Sequence, residues 1–207
     1  MSLSSSSDVE EVLQRLGELL QFRRHSFAVA IIGGAALNLL GVVSRTTNDV
    51  DVLAVANPAD LANDLRGQLT EAPNPLPIEL LRAASDVARD LNLNEGWLNN
   101  GPTRQMRSGL PPGMESRLVW REFGSLWVGV PAREDLIALK LFAAVDRSGP
   151  GGVDSNDLLA LAPTAGELQW AVAWVATQDA SLSFATTLET VHQFLSSSIR
   201  RDVHHAD

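Results

Sequence analysis

The sequence predicts an α/β (α+β) fold, with a small mixed sheet flanked by helices and a helical C-terminal half. Two observations carry this. Short apolar runs rich in β-branched residues alternate with helical periods up to about residue 130, and after Pro131 only helical patterns follow. The expected organisation is a core over 8–130 and a helical region over 131–200 packed on it.

Taken in order, Asp8 is positioned to cap a helix whose apolar residues Val9, Val12, Leu13, Leu16, Leu19 and Leu20 follow the 3.6-residue period. Phe27 to Ile32 is almost wholly apolar, as expected of a strand covered on both faces. Gly33-Gly34 ends it, and Ala35 to Leu40 restart as a helix. Asp49 to Val55 reads as a second strand. Asn57-Pro58 then supplies an N-cap and a first-turn proline for a helix over Ala59 to Leu69.

After the stiff Pro73 to Pro77 connection, Ile78 to Leu91 forms a helix, and the Asn, Gly and Pro clusters of Asn92 to Gly113 predict surface loop. Leu118 to Phe123 and Leu126 to Val130 flank Gly124-Ser125 and predict a β-hairpin. Helices follow over Arg133 to Val145, Asp154 to Leu161, a segment opened by the capping box Thr164-x-x-Glu167, and a last one around Phe184 to Ile199. Ser148 to Gly152 is a break between them.

The composition narrows the function classes. There is no cysteine, so disulfide frameworks and cysteine-based zinc sites are excluded. The longest apolar stretch, Phe27 to Val43, is interrupted by glycines and falls short of the ~20 residues that cross a bilayer. Together with a serine-rich, acidic start, this predicts a soluble cytoplasmic protein with no membrane partner. A net charge of −9 disfavours non-specific attraction to long nucleic acids. Arg104, Arg107, Arg117, Arg121 and Arg133 fall in one third of the chain, either as a local patch or as scattered solvated side chains. The four histidines form no metal-ligand spacing, and neither a Gly-x-x-x-x-Gly-Lys-[Ser/Thr] loop nor a Gly-x-Ser-x-Gly elbow is present.

Chemistry concentrates in Ile31-Ile32-Gly33-Gly34-Ala35-Ala36, the loop Arg45-Thr46-Thr47-Asn48, and Asp49-Val50-Asp51-Val52. A diglycine after a buried strand lets the backbone approach a ligand, and the N–H groups of the helix it opens form an anion site. On a strand, residues i and i+2 share a face, so Asp49 and Asp51 would project together. Two adjacent carboxylates are reconciled by a cation, and hard oxygen donors suit Mg²⁺ or Mn²⁺ shared with substrate phosphates.

This order of strand, diglycine, helix, Arg-Thr-Thr loop and Asp-x-Asp strand resembles the DNA polymerase β-like nucleotidyltransferase superfamily. Downstream, Glu134-Asp135-Leu136-Ile137-Ala138-Leu139-Lys140-Leu141, Asp146-Arg147 and Asp154-Ser155-Asn156-Asp157 resemble the segment that follows the core in AbiEii-type toxin nucleotidyltransferases. Trp97-Leu98-Asn99 is similar to a loop in uncharacterised bacterial nucleotidyltransferase-like proteins, although packing alone would also explain Trp97.

The resemblance implies transfer of a nucleoside monophosphate from a nucleoside triphosphate (NTP) to a hydroxyl acceptor, whether RNA, protein or small molecule; the toxin enzymes point to tRNA or protein as acceptor and an antitoxin as partner. It places Gly33 and Gly34 at the triphosphate, with Arg45 and Thr46 beside them, and Asp49 and Asp51 at the metal. Lys140 would meet phosphate or nucleotide, and Asp157 would orient Lys140 or the acceptor. A lysine in so apolar a helix either finds a partner or snorkels to the surface. Many catalytic members add a third carboxylate from a later strand; Glu122 on the hairpin is the nearest candidate here, ahead of Glu115 and Asp90. Without it, the same residues fit a catalytically inactive nucleotide-binding or partner-binding protein.

Overall fold

The computed structural model describes residues 3–41, 46–63 and 67–203. It divides into two compact units, Met1–Ala132 and Arg133–Asp207.

In the first unit, α1 (Ser6–Phe22) starts one turn earlier than the sequence suggests. Ser5 is the N-cap, and Asp8 is the third helical residue of a capping box, returning hydrogen bonds to the backbone N–H groups of Ser4 and Ser5. The reason is reciprocity: the Ser5 hydroxyl accepts from the Asp8 N–H while the Asp8 carboxylate satisfies the donors before it. The Ser4 hydroxyl, foremost among these contacts, holds the Asp8 carboxyl below its usual range.

Strand β1 (Phe27–Ile32) leads into α2 (Gly33–Leu40), and β2 (Val50–Ala56) returns antiparallel to β1. Helix α3 (Pro58–Ala62) uses the predicted Asn57 cap; of the rest of the predicted 59–69 helix, 64–66 lie outside the described residues and 67–69 are not helical, and β3 (Thr70–Glu71) pairs with β2. Helix α4 (Ile78–Leu91) has its predicted bounds. Where the sequence predicts loop, the chain instead forms β4 (Leu98–Asn99), a 3₁₀ turn over Gly101–Thr103, α5 (Arg104–Ser108) and α6 (Met114–Arg117). These pieces are too short to leave a hydrophobic period, so local pattern does not reveal them.

The hairpin β5 (Val119–Phe123) and β6 (Leu126–Val130) forms as predicted. Strand β6 pairs parallel with β1, giving the order β3-β2-β1-β6-β5, with β4 on β2. The sheet is therefore mixed. Helix α1 packs on α2, α4 and the hairpin strands, with Val9, Val12, Leu13, Leu16 and Leu20 buried.

The second unit is helical: α7 (Arg133–Ala143), a π-helical turn over Ala144–Ser148, α8 (Val153–Leu161), α9 (Ala165–Val175) and α10 (Leu182–Val203). The predicted capping box opens α9, with Thr164 and Glu167 bonded reciprocally. Arg133 donates to Glu167 and to the Leu161 carbonyl, tying α7 to the start of α9. Partial burial raises the Glu167 carboxyl, but the Thr164 N–H and the Arg133 guanidinium outweigh it and leave the group below its usual range. Among the described residues, no helix is long and apolar enough to cross a membrane.

Candidate active site

Gly33 and Asp51 meet where β1 ends. Ile32 is paired with Asp51, so the turn after Ile32 lies beside that aspartate. Gly33 adopts φ +76°, a conformation that L side chains rarely take. A Cβ added to Gly33 would stand 2.4 Å from Asp51 Oδ2, which shows how closely the carboxylate seats against the bare backbone. The N-cap residue of α2, Ile32, makes no side-chain cap hydrogen bond.

A β-bulge shapes β2 just past this pair. The register runs Ala30 to Ala54 and then Ile31 to Val52, leaving Leu53 as the extra residue. Strict alternation would put Leu53 on the face of Asp51; the bulge lets Val52, Leu53 and Ala54 all be buried while Asp51 stays half-exposed. Asp49 is not a strand residue, as β2 begins at Val50. It is half-exposed, and Thr47 fixes it by donating from Oγ1 to Asp49 Oδ1 (3.1 Å) and to the Asp49 carbonyl (3.3 Å). Thr47 is itself buried and held by paired backbone bonds to Leu3. Within the described part of the Arg-Thr-Thr loop, Thr47 is bound to Asp49, whereas the residues expected to act there were its neighbours Arg45 and Thr46. Thr46 is exposed, and Arg45 lies outside the described residues.

The expectation for Glu122 fails on topology. It is exposed on the edge strand β5, and its row runs through Trp127 of β6 and Ala28 of β1 to Ala56, at the opposite end of β2 from Asp51. Three strand spacings amount to about 14 Å sideways before that offset is added. No glutamate side chain spans this. Among the described residues, no group of three or more acidic or histidine side chains is placed to hold a metal, so Glu115 and Asp90 do not complete one either.

The neighbour that the topology does supply is Asn99. Strand β4 runs parallel to β2 with Val50 opposite Leu98 and Asp51 opposite Asn99. Val50 and Leu98 are buried, while Asp51 and Asn99 share the half-exposed face. Trp97 secures the segment: it is buried, its indole N–H donates to the Ala84 carbonyl of α4 (2.9 Å), and its own carbonyl accepts from the Val50 N–H. The anchoring role foreseen for Trp97 is thus its role in the fold. A little further on, Thr103 Oγ1 is buried without a hydrogen-bond partner among the described residues.

Lys140, Asp154 and Asp157 come together inside the helical unit. Lys140 Nζ lies 2.8 Å from Asp154 Oδ1 and 2.7 Å from Asp157 Oδ2, and all three side chains are at least nine-tenths buried. Lys140 is therefore paired and does not snorkel. Arg147, on the π-helical turn, reaches Asp154 Oδ2 at 3.5 Å. Of the five arginines, Arg121 bonds Glu10 and the Leu39 carbonyl, Arg117 bonds the Pro112 carbonyl, and Arg133 bonds Glu167 within the helical unit. A separate groove of about 620 Å³, with Arg23, Arg82, Asp86 and Arg89 in its walls, opens near the start of β1, at the other end of that strand from Gly33.

A diglycine turn closed against an Asp-x-Asp carboxylate, on a mixed sheet between helices, defines a nucleotidyltransferase-like protein. The chain belongs to the family DUF6036, nucleotidyltransferases of unknown function, whose model matches residues 8–160. No curated protein and no solved structure matches it significantly.

The Gly33 contact gives a direct test of this geometry. Gly33→Ala is expected to cost about 1–2 kcal/mol from the left-handed backbone alone. It should also displace the Asp51 carboxylate, so that the melting temperature, read by circular dichroism, falls. An unchanged melting temperature would show that the turn tolerates a side chain and that the carboxylate is not seated on it.

Proposed function

We propose that this protein is a metal-dependent nucleotidyltransferase that moves a nucleoside monophosphate from an NTP to a hydroxyl acceptor, with release of pyrophosphate. The observation that carries the proposal is the Asp51 carboxylate lodged against Gly33 at the start of α2, with Asp49 two residues away in the sequence. Phosphate and carboxylate chemistry converge there.

The residues fit a divalent cation of the Mg²⁺ type. Asp49 and Asp51 supply two hard oxygen ligands on half-exposed side chains, the small protein share that Mg²⁺ takes when substrate phosphates complete its shell. Bound there, Mg²⁺ or Mn²⁺ would neutralise charge on the triphosphate and polarise the phosphorus under attack. The N–H groups at the start of α2 receive phosphate oxygens, aided by the helix dipole. Thr47 keeps Asp49 aimed, and Gly33 leaves room for Asp51. The acceptor oxygen forms a bond to the α-phosphorus as the bond to pyrophosphate breaks, and the hydroxyl proton leaves to solvent or a base.

The resemblance to AbiEii-type enzymes favours tRNA or protein as acceptor and an antitoxin as binding partner. It also assigns Lys140 to phosphate and Asp157 to its orientation. One observation favours the second reading, a nucleotide-binding protein without transfer: among the described residues, no third carboxylate joins Asp49 and Asp51.

The test is to incubate the purified protein with Mg²⁺ or Mn²⁺, each labelled NTP, total RNA and cell lysate. Label transfer is expected, and Asp49→Ala or Asp51→Ala should reduce it by at least ~100-fold, beyond the 10–100-fold typical of losing an outer-shell partner of a metal. Transfer that survives both substitutions would remove the metal assignment. Metal-dependent NTP binding without transfer to any acceptor would select the non-catalytic reading.

A further inference from the structure

We propose that Asn99 is a phosphate-binding residue of this site, gripping the triphosphate through its amide nitrogen beside Asp51. The inference rests on the transferase reading above and concerns the substrate side of the same site.

Two features of the fold bring Asn99 there. The parallel register sets it opposite Asp51, and the burial of Val50 and Leu98 on the reverse face turns both polar side chains to the half-exposed side. The segment is fixed as well as near: Trp97 is locked under α4, and the Val50 N–H bonds the Trp97 carbonyl.

The hydrogen bonds of Asn99 then decide what it can recognise. Its Oδ1 accepts the Gly101 N–H at 2.9 Å, which orients the carboxamide and identifies its oxygen end. No other hydrogen bond of Asn99 exists among the described residues, so both Nδ2 donors are unused. An NH₂ group is an unsuitable ligand for a hard cation but a good donor to an anionic oxygen. Next to two carboxylates it adds no negative charge, so it does not compete with the phosphates that the cation draws in. A carboxylate in this place would strengthen the hold on the cation and repel the triphosphate.

The experiment uses the full chain and two probes, Mn²⁺ alone and inorganic tripolyphosphate with Mg²⁺, so that no base need be known. Asn99→Leu should weaken tripolyphosphate binding, measured by calorimetry, by about tenfold to a hundredfold, the range of one hydrogen bond to a charged group. Its Mn²⁺ affinity should stay close to that of the parent, because among the described residues Asn99 hydrogen-bonds neither Asp49 nor Asp51 and so does not orient a ligand. Asn99→Asp keeps an oxygen for the Gly101 N–H, so it preserves the turn even if the leucine variant unfolds. It should bind Mn²⁺ more tightly and tripolyphosphate more weakly.

Tripolyphosphate binding unchanged in both variants would overturn the proposal and reduce Asn99 to a turn cap. Loss of Mn²⁺ binding in Asn99→Leu with the fold intact would also overturn it, by making Asn99 a metal ligand. If Asp51→Ala abolishes Mn²⁺ binding while the Asn99 variants match the parent on both probes, the transferase reading stands and this one falls. If the parent binds neither probe, both fall.

Discussion

Replacing Lys140 by methionine is expected to destabilise the helical unit by about 3–5 kcal/mol, the range found when one partner of a buried ion pair is removed. Methionine keeps the length of the chain and most of its apolar contact, so the loss isolates the charge. What remains is Asp154 and Asp157, each only 7% exposed, facing the space that the ammonium had occupied. Arg147 offers little relief: it is 3.5 Å from Asp154 and two-thirds exposed, where water screens it. Urea unfolding followed by helical circular dichroism reads the effect. Adding Asp154→Leu and Asp157→Leu should recover most of it, because replacing a whole buried ionic group by apolar side chains is often near neutral. A Lys140→Met protein as stable as the parent but defective in nucleotide transfer would assign the lysine to substrate and not to the fold.

Gly17→Ala is expected to cost about 3 kcal/mol or more, at the upper end of what overpacking does. In an exposed helix the same change gains up to ~1 kcal/mol, so propensity alone predicts the opposite sign. The clash decides: a Cβ on Gly17 would lie 1.5 Å from the Phe123 carbonyl oxygen and 2.6 Å from its carbon. Both are backbone atoms at the hairpin turn, and the Ser125 N–H bonds back to the Gly17 carbonyl, so no flexible side chain can yield. Helix α1 would have to lift from β5 and β6, exposing part of the face around Leu13, Leu16 and Leu20. Gly166→Ala in α9 is the control. Nothing lies within 4 Å of its Cβ position, and it should be neutral or slightly stabilising in the same unfolding experiment.

Much of the fold was legible because it rests on neighbours in sequence. The apolar run of β1, the diglycine, the Asn57-Pro58 start of α3, the bounds of α4, the two-residue hairpin connection and the Thr164 capping box all act within a few residues. The spacing of Asp154 and Asp157 likewise places both on one side of α8, whereas their meeting with Lys140 of α7 was expected only from the family resemblance. Local reading failed where two equivalent local solutions existed. Asp8 and Ser5 are both good caps, and only the reciprocal bonding selects Ser5. Likewise, Asp49 continues an alternating pattern, yet the chain enters β2 one residue later.

By itself the sequence determined the pieces of the candidate site, a diglycine turn after a buried strand and two carboxylates two residues apart, because Gly33-Gly34 and Asp49-x-Asp51 are set by covalent spacing. Only the tertiary structure decided which third residue stands beside them. Glu122 was excluded by three strands of separation, and Asn99, within a stretch that reads as loop, was brought in by a two-residue parallel strand. Strand pairing is non-local: what sets Asn99 opposite Asp51 is the burial of Trp97 and Leu98 in the packed core, which no period in the chain encodes.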